Sequence, residues 1–226
     1  SYHVIDYDTL TGAVLHKNTH QGYSDASAWS RGQAWGLYGY TMCYRETGLP
    51  EFLERAKQIA SYIFSNPTLP DDLIPYWDYN APGIPDEPRD VSAATVTASA
   101  LYELSMYDET NRTGYVDRAD RILENLTNRY RASVGKDCGF LLLHSTGSKT
   151  HGSEVDVPIV YADYYYLEAL LRKAKLEKEL ARSKGMLSNE SFLSKAPADK
   201  VAEERAKMDK YQQMMDDVVA RLAQMK

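Results

Sequence analysis

Cysteine is nearly absent. Cys43 and Cys138 are the only two in 226 residues, too few and too far apart for a disulfide framework or a cysteine ligand cluster. Both are expected to be packed thiols. A strong charge of one sign is also lacking: net charge −6 and a pI near 5.4 give no whole-chain reason to expect nucleic acid. No apolar run approaches membrane-spanning length and no signal segment opens the chain. Ser1 stands inside a mid-element phrase, "SYHVIDYDTLTG", so the natural start is expected to lie upstream. Nothing alternates strand with helix, which disfavours a doubly wound sheet.

What is present is helical periodicity with short punctuation. It predicts helices over about 26–47, 50–65, 91–107, 114–132, 159–185 and 198–225. Gly48-Leu49-Pro50 divides the first two, with Pro50 suited to a first turn. Asp90 or Ser92 can cap the third helix, and Thr113 or Gly114 can open the fourth. The phrase "HVIDYDTLTGAVLHKN" reads as strand, turn at Thr11-Gly12 and strand, and "GFLLLH" as a further short strand. "SNPTLPDDLIPYWDYNAPGIPDEPRD" is a long proline-rich loop of the kind that often carries function. The class is therefore all-α: stacked helix pairs, as a solenoid or a closed toroid, with a short β-hairpin.

Composition shifts near Arg172, where an acidic region gives way to one with slightly more bases than acids. In the last helix Val201, Met208, Met215 and Leu222 stand seven apart. Tyr211, Val218 and Met225 follow at matching positions, so the tail reads as an antiparallel coiled-coil hairpin. The domains are accordingly 1–172 and 173–226, with the turn of the hairpin near 188–197.

The stretch "QGYSDASAWSRGQAWGLYGY" concentrates the polar and aromatic chemistry. On a helix Arg31, Trp35 and Tyr38 share one face. An indole beside a guanidinium can stack on the C–H face of a ring and pair with its carboxylate. Gly32, Gly36 and Gly39 would permit close helix approach. The alternative is a core tryptophan beside a solvated arginine. His3, His16 and His20 precede this helix, but no Cys or HExxH pattern accompanies them, and no metal is expected. "HSTGSKTHGSEVDVP" places His144, Ser145, Ser148, Lys149 and His151 among glycines before a helix whose N-terminus could attract an anion. Glu154 and Asp156 are expected to cap that helix.

"QGYSDASAWSRGQAWGLYGYTMCYRETG", "PYWDYNAPGIPDEPRDVSAA" and "HGSEVDVPIVYADYYYLEALLR" together resemble the C-terminal half of unsaturated glucuronyl hydrolases, glycoside hydrolase family 88. The resemblance covers about residues 1–172. It implies an (α/α)6 barrel, here incomplete, that acts without a cofactor on oligosaccharides bearing a 4,5-unsaturated uronic acid. In that family an aspartic acid protonates the enol-ether double bond and guides water onto it, and the hemiketal so formed opens, so the two-carboxylate glycosidase geometry does not apply. By position, His3 resembles the histidine beside the reacting ring and assists catalysis. Gln21 resembles a substrate-contacting glutamine, Arg31 the arginine lining the uronate site and Trp35 the stacking tryptophan. His20 falls where members differ with the neighbouring sugar's substituent. Ser145 and Ser148 resemble a serine pair that holds sulfated substrates, although the lysine that follows in those members falls on Thr150. The family's catalytic aspartates lie upstream of His3, and Asp6, Asp8 and Asp25 match neither. His3, Gln21, Arg31 and Trp35 are expected to converge on one cavity, with the loop at 75–88 or 145–148 near its mouth.

The tail resembles the C-terminal coiled-coil arm of valyl-tRNA synthetases, through "LEKELA", "LSNESFLSKAPADKVAEER" and "RLAQM". That implies backbone contact with tRNA. The two-part chain reads as a fusion or an artefact of assembly, inactive without the missing half, and association is expected through the exposed barrel half or the coiled coil. The competing reading is an interaction module whose coiled coil is the functional end. The compartment is left as bacterial cytoplasm or periplasm, with no membrane partner.

Overall fold

The computed structural model describes residues 1–189 and 196–209. Two antiparallel strands, β1 (Val4–Tyr7) and β2 (Val14–Asn18), precede five helices: α1 (Ser30–Thr47), α2 (Pro50–Ser65), α3 (Val91–Leu104), α4 (Arg112–Arg129) and α5 (Val160–Leu187). Residues 198–209 are also helical.

The hairpin pairs Val4 with Asn18, Ile5 with Lys17 and Asp6 with His16, and its register shifts between Asp6 and Tyr7. Its turn is held by Asp8, whose Oδ1 accepts from the Leu10 and Thr11 amides and the Thr11 hydroxyl. Gly12 at φ +72° closes it, a conformation that favours glycine.

α3 is the hub. All 14 of its residues are buried, which follows from VSAATVTASALYEL having no strongly polar face and mostly small side chains. It packs against α1, α4 and α5, and α1 packs in turn against α2. Asp90 caps α3, accepting from the Ser92 and Ala93 amides. At its far end Glu103 receives Arg45 of α1 at 2.8 Å and Arg172 of α5 at 2.7 Å, one carboxylate joining three helices. Glu168 of α5 accepts from the hydroxyls of Tyr38 and Ser99. Burial, then the charge of Glu168, pushes the Tyr38 hydroxyl up to about 12.

α1 starts at Ser30 rather than near 26, because backbone groups before it are taken by the distant proline-rich loop. The Ala28 amide donates to Asn80 and the Tyr79 amide donates to Ala28. Ser27 Oγ donates to buried Asp78 at 2.6 Å. Gly48, at φ +69°, ends α1, and Pro50 opens α2. A Cβ on Gly36 would come within 3.1 Å of Ile59 of α2, so this glycine does permit close helix approach, whereas Gly39 has open space and Gly32 makes room for Ser1 and Trp29.

Three local expectations are corrected. "GFLLLH" forms no strand: it makes an isolated bridge, Arg131 with Leu142, and the amides of Leu141 and Leu142 go to the Asp163 carboxylate at 2.9 and 3.0 Å. Asp156 and Glu154 do not cap α5, which has no side-chain cap; Asp156 instead pairs with His144 at 2.8 Å. Cys138 is exposed rather than packed, while Cys43 is half-buried.

Residues 198–209 meet the distal part of α5, where the Ser183 hydroxyl donates to Glu204 at 3.0 Å and both are buried. Leu187 and Met208 line a common groove. Of the expected heptad seam, Tyr211, Met215, Val218, Leu222 and Met225 lie outside the described residues, as does most of the expected turn. Among the described residues, no helix is long and apolar enough to cross a membrane.

Candidate functional site

His3, His20, Gln21, Arg31 and Ser148 sit where the base of the hairpin, the start of α1 and the loop at 144–153 meet. Gly147 is the junction. Its carbonyl accepts from Gln21 Nε2 at 2.8 Å and from the Arg31 guanidinium. A Cβ on Gly147 would fall 2.2 Å from a Glu154 oxygen and 2.7 Å from its Cβ, so no larger residue fits without moving the loop.

Arg31 is buried, and the carboxylate it meets is the protein's own: Nη1 lies 2.7 Å from Asp90. The same nitrogen donates to the Thr146 carbonyl at 2.7 Å and to Ser92 Oγ at 3.2 Å. Its guanidinium carbon stands 4.6 Å from the Trp29 ring centroid and 5.6 Å from that of Tyr161. Arg31 thus ties α1 to the cap of α3 and to the 146–147 turn.

His3 lies against the Trp29 ring, centroids 4.7 Å apart. Its Nδ1 accepts from the His20 amide at 3.0 Å, which places the ring proton on Nε2. Burial and then the neighbouring His20 hold its pKa below the ordinary value, in keeping with a neutral ring. A row of imidazoles continues from His3 to His20 at 6.2 Å and on to His151 at 4.5 Å. His151 Nδ1 is 2.8 Å from Ser148 Oγ, and Thr150 Oγ1 donates to the His20 carbonyl at 3.1 Å.

Trp35 stands apart from this row. It packs edge-on to Tyr165 at 5.2 Å and near Tyr161 at 6.4 Å, so Tyr161 is its link to Arg31. Ser145 is fully buried, its backbone bridged to Val157 and its Oγ without a protein partner. The two loops expected near the mouth are joined to each other: Lys149 pairs with Glu87, and Glu87 accepts from Trp77 Nε1 at 2.8 Å. Burial would raise the Glu87 carboxyl, but the bonds from Lys149 and Trp77 hold it below its usual range. Trp29 and Gly147 were not singled out as site residues from the sequence, and His151 was named only within the polar phrase at 144–158. Trp29 stands two residues before Arg31, and the helix phase assumed from residue 26 hid it, since its extended backbone swings the ring toward the arginine.

Three nearby carboxylates have structural partners, while the exposed Glu154 lies against Gly147. Asp25 accepts from the Thr19 amide at 2.7 Å, Asp78 from the Tyr23 amide and Ser27, and Asp8 holds the hairpin turn. Among the described residues, no group of three or more His, Cys, Asp or Glu side chains could hold a metal ion.

Comparison with known proteins divides the chain. It is 48% identical over 176 residues to the unsaturated glucuronyl hydrolase of Formosa agariphila, a match covering 77% of this chain and 44% of that protein. It superposes on the crystal structure of an unsaturated glucuronyl hydrolase specific for heparin with TM-score 0.76 and 50% identity, over 79% of this chain and 48% of the other. Residues 169–226 match the family model of the valyl tRNA synthetase tRNA binding arm, and the valine–tRNA ligase of Clostridium perfringens is 52% identical over 50 residues, covering 22% of this chain and 6% of that protein. The chain spans less than half the length of the glucuronyl hydrolases it matches. It therefore joins, through one continuous helix, a segment similar to part of an unsaturated glucuronyl hydrolase and a segment similar to the tRNA-binding arm of a valyl-tRNA synthetase.

Proposed function

We propose that residues 1–172 are the sugar-binding part of an enzyme that hydrates the 4,5-double bond of an unsaturated glucuronic acid at the non-reducing end of an oligosaccharide. The helices α1 to α5 are then an arc of an (α/α)6 barrel. The observation that carries this reading is the convergence of Gln21 and Arg31 on the Gly147 carbonyl, beside the row His3, His20 and His151.

In this reading His3 presents its Nε2–H to the reacting ring while its Nδ1 is fixed by the His20 amide. Gln21 contacts the sugar, and Trp35 with Tyr161 supplies an aromatic face. Arg31, with its fork engaged by Asp90, Thr146 and Gly147, lines the uronate site and holds its wall in place. His20 and Ser148 face the next sugar and its substituents, whereas Ser145, fully buried, does not reach them. Protonation of the double bond and delivery of water to it need a carboxyl group; in this reading the aspartates that supply it lie upstream of His3, while Asp8, Asp25, Asp78 and Asp90 are engaged by the protein itself. The chain alone accordingly binds unsaturated uronates weakly and does not turn them over, since general acid–base catalysis contributes about 10²–10⁴-fold.

The test is incubation of the purified chain with an unsaturated disaccharide, following loss of the ultraviolet absorbance of the conjugated uronate. Turnover comparable with a full-length relative, abolished by replacing Asp6, Asp8 or Asp25, would show that one of those carboxylates is catalytic.

A second reading concerns the tail, and the family-model match over 169–226 favours it: the coiled-coil hairpin contacts tRNA through backbone phosphates. Titration with tRNA at low and moderate salt checks this, because phosphate contacts weaken steeply as salt rises.

A further inference from the structure

Glu154 is the acidic side chain of the 144–156 loop that the fold leaves unused. Around it Asp156 pairs with His144 and Glu87 with Lys149, and Asp163 takes the amides of Leu141 and Leu142. Among the described residues, no donor engages the Glu154 carboxylate. Its backbone is nevertheless held in place. The segment 145–157 doubles back through bridges between Ser145 and Val157 and between Ser148 and Ser153, and the Gly147 amide donates to the Glu154 carbonyl at 2.7 Å. Glu154 stands there at φ +52°, and its side chain lies back over Gly147, in the space that a Cβ on that glycine would fill. The carboxylate is thus set beside the residue whose carbonyl anchors Gln21 and Arg31. It also reaches Tyr161 electrostatically: burial raises that hydroxyl's pKa first, Arg31 opposes, and the charges of Asp90 and Glu154 raise it further. Tyr161 is the ring between Trp35, 6.4 Å away, and Arg31, 5.6 Å away.

We propose that Glu154 is a positioning and specificity-determining residue of this face, whose carboxylate accepts hydrogen bonds from the ring hydroxyls of the unsaturated uronate. A carboxylate only accepts, and its bonds from hydroxyls are the strong, charge-assisted kind. The uronate offers such donors at C2 and C3, on the edge of the ring away from its own carboxylate and double bond. Glu154 therefore draws the hydroxyl edge toward Gly147 and repels the anionic edge, which fixes which way round the ring lies. An anionic ester in place of a hydroxyl brings no donor and a like charge, and is turned away. Lys149 does not offset this, because its ammonium is held by Glu87 and stands 5.4 Å from the Trp77 ring centroid. The inference rests on reading this face as the uronate site.

The experiment titrates the purified full chain at neutral pH with an unsaturated uronate disaccharide, the same disaccharide 2-O-sulfated on the uronate, and its saturated counterpart, following affinity by ligand-observed NMR. The parent chain is expected to bind the unsulfated form about tenfold more tightly than the sulfated one. Glu154→Gln, which keeps the shape and removes the charge, should weaken the unsulfated form, leave the sulfated one no weaker, and narrow the preference to within about threefold. Its thermal midpoint should not move, since no protein donor is lost, and Glu154→Asn, tolerated at positive φ, should give the same selectivity. A preference unchanged in both variants, or a parent that binds the sulfated form equally well, overturns the proposal and leaves the substrate reading standing. A saturated disaccharide bound as tightly as the unsaturated one, and equally dependent on Glu154, supports the proposal and overturns the substrate reading. Binding of none of the three to the parent overturns both.

Discussion

Arg31 and His3 show how much of the site is held by single side chains. Removing the Arg31 guanidinium strands the Asp90 carboxylate in the interior and frees the Thr146 and Gly147 carbonyls. Breaking a buried pair in this way costs about 3–5 kcal/mol, so Arg31→Ala should move the urea midpoint strongly. Arg31→Lys keeps a charge for Asp90 but loses the fork that reaches two carbonyls, and should fall between the two. An Arg31→Ala chain as stable as the parent would mean that the Asp90 pair is dispensable. His3 gives a pH prediction. Its folded pKa is lowered from the ordinary value of 6.5, so the unfolded chain binds the proton more readily than the folded one. The stability His3 contributes is therefore complete above about 6.5 and is lost as pH falls below it. Stability measured between pH 7.5 and 5 should decline less steeply in His3→Gln than in the parent, and equal slopes would show that His3 is not the group responsible.

Glu103 plays the corresponding part among the helices, since one carboxylate receives an arginine from α1 and another from α5. Glu103→Gln should destabilise by about 1.5–3 kcal/mol, the range for hydrogen bonds to charged groups, moderated on the α1 side because Arg45 is half exposed. Urea unfolding of the variant checks this, and a loss below about 0.5 kcal/mol would show the three-helix junction to be incidental. This junction could not be read from the sequence, because Arg45, Glu103 and Arg172 share no local pattern. The elements themselves were legible where signals were local. Pro50 starts α2, Gly48 ends α1, Asp90 caps α3, and the Asp8 to Gly12 turn closes the hairpin. Legibility failed where a distant partner competes for the backbone. α1 begins late because Ser27, Ala28 and Ser30 bond to Trp77, Asp78, Tyr79 and Asn80 in the proline-rich loop, and "GFLLLH" bonds to Asp163 instead of to a strand. The site followed the same rule: Arg31 was a candidate by side-chain chemistry and helix phase and Gln21 through the family resemblance, but their common anchor on Gly147 is set by tertiary packing, as is the displacement of Trp35 toward Tyr161 and Tyr165.

At the scale of the whole molecule, two resemblances meet within α5, an unbroken helix of 28 residues. The tRNA-arm match begins at residue 169, yet Ala169 is fully buried in the helical core and Arg172 is bound to Glu103, so the handover overlaps the body rather than following it. Core packing continues to Leu176, which lies against the main hydrophobic cluster. Beyond it, Ser183 bonds to Glu204 and Lys184, Leu187 and Ser188 share a groove with Arg205 and Met208, contacts that belong to the tail alone. A chain cut after Leu187 should therefore keep the body intact. Its unfolding midpoint should stay within about 2–4 °C of the full chain's, the shift that ~1 kcal/mol produces in a domain of this size. A cut after Leu167 instead removes Glu168, Ala169 and Arg172, leaves Ser99, Tyr38 and Glu103 without their α5 partners, and should unfold the body at ordinary temperature. Circular dichroism melts of the two truncations separate the cases. Equal and severe destabilisation by both would place the tail within the body's cooperative unit.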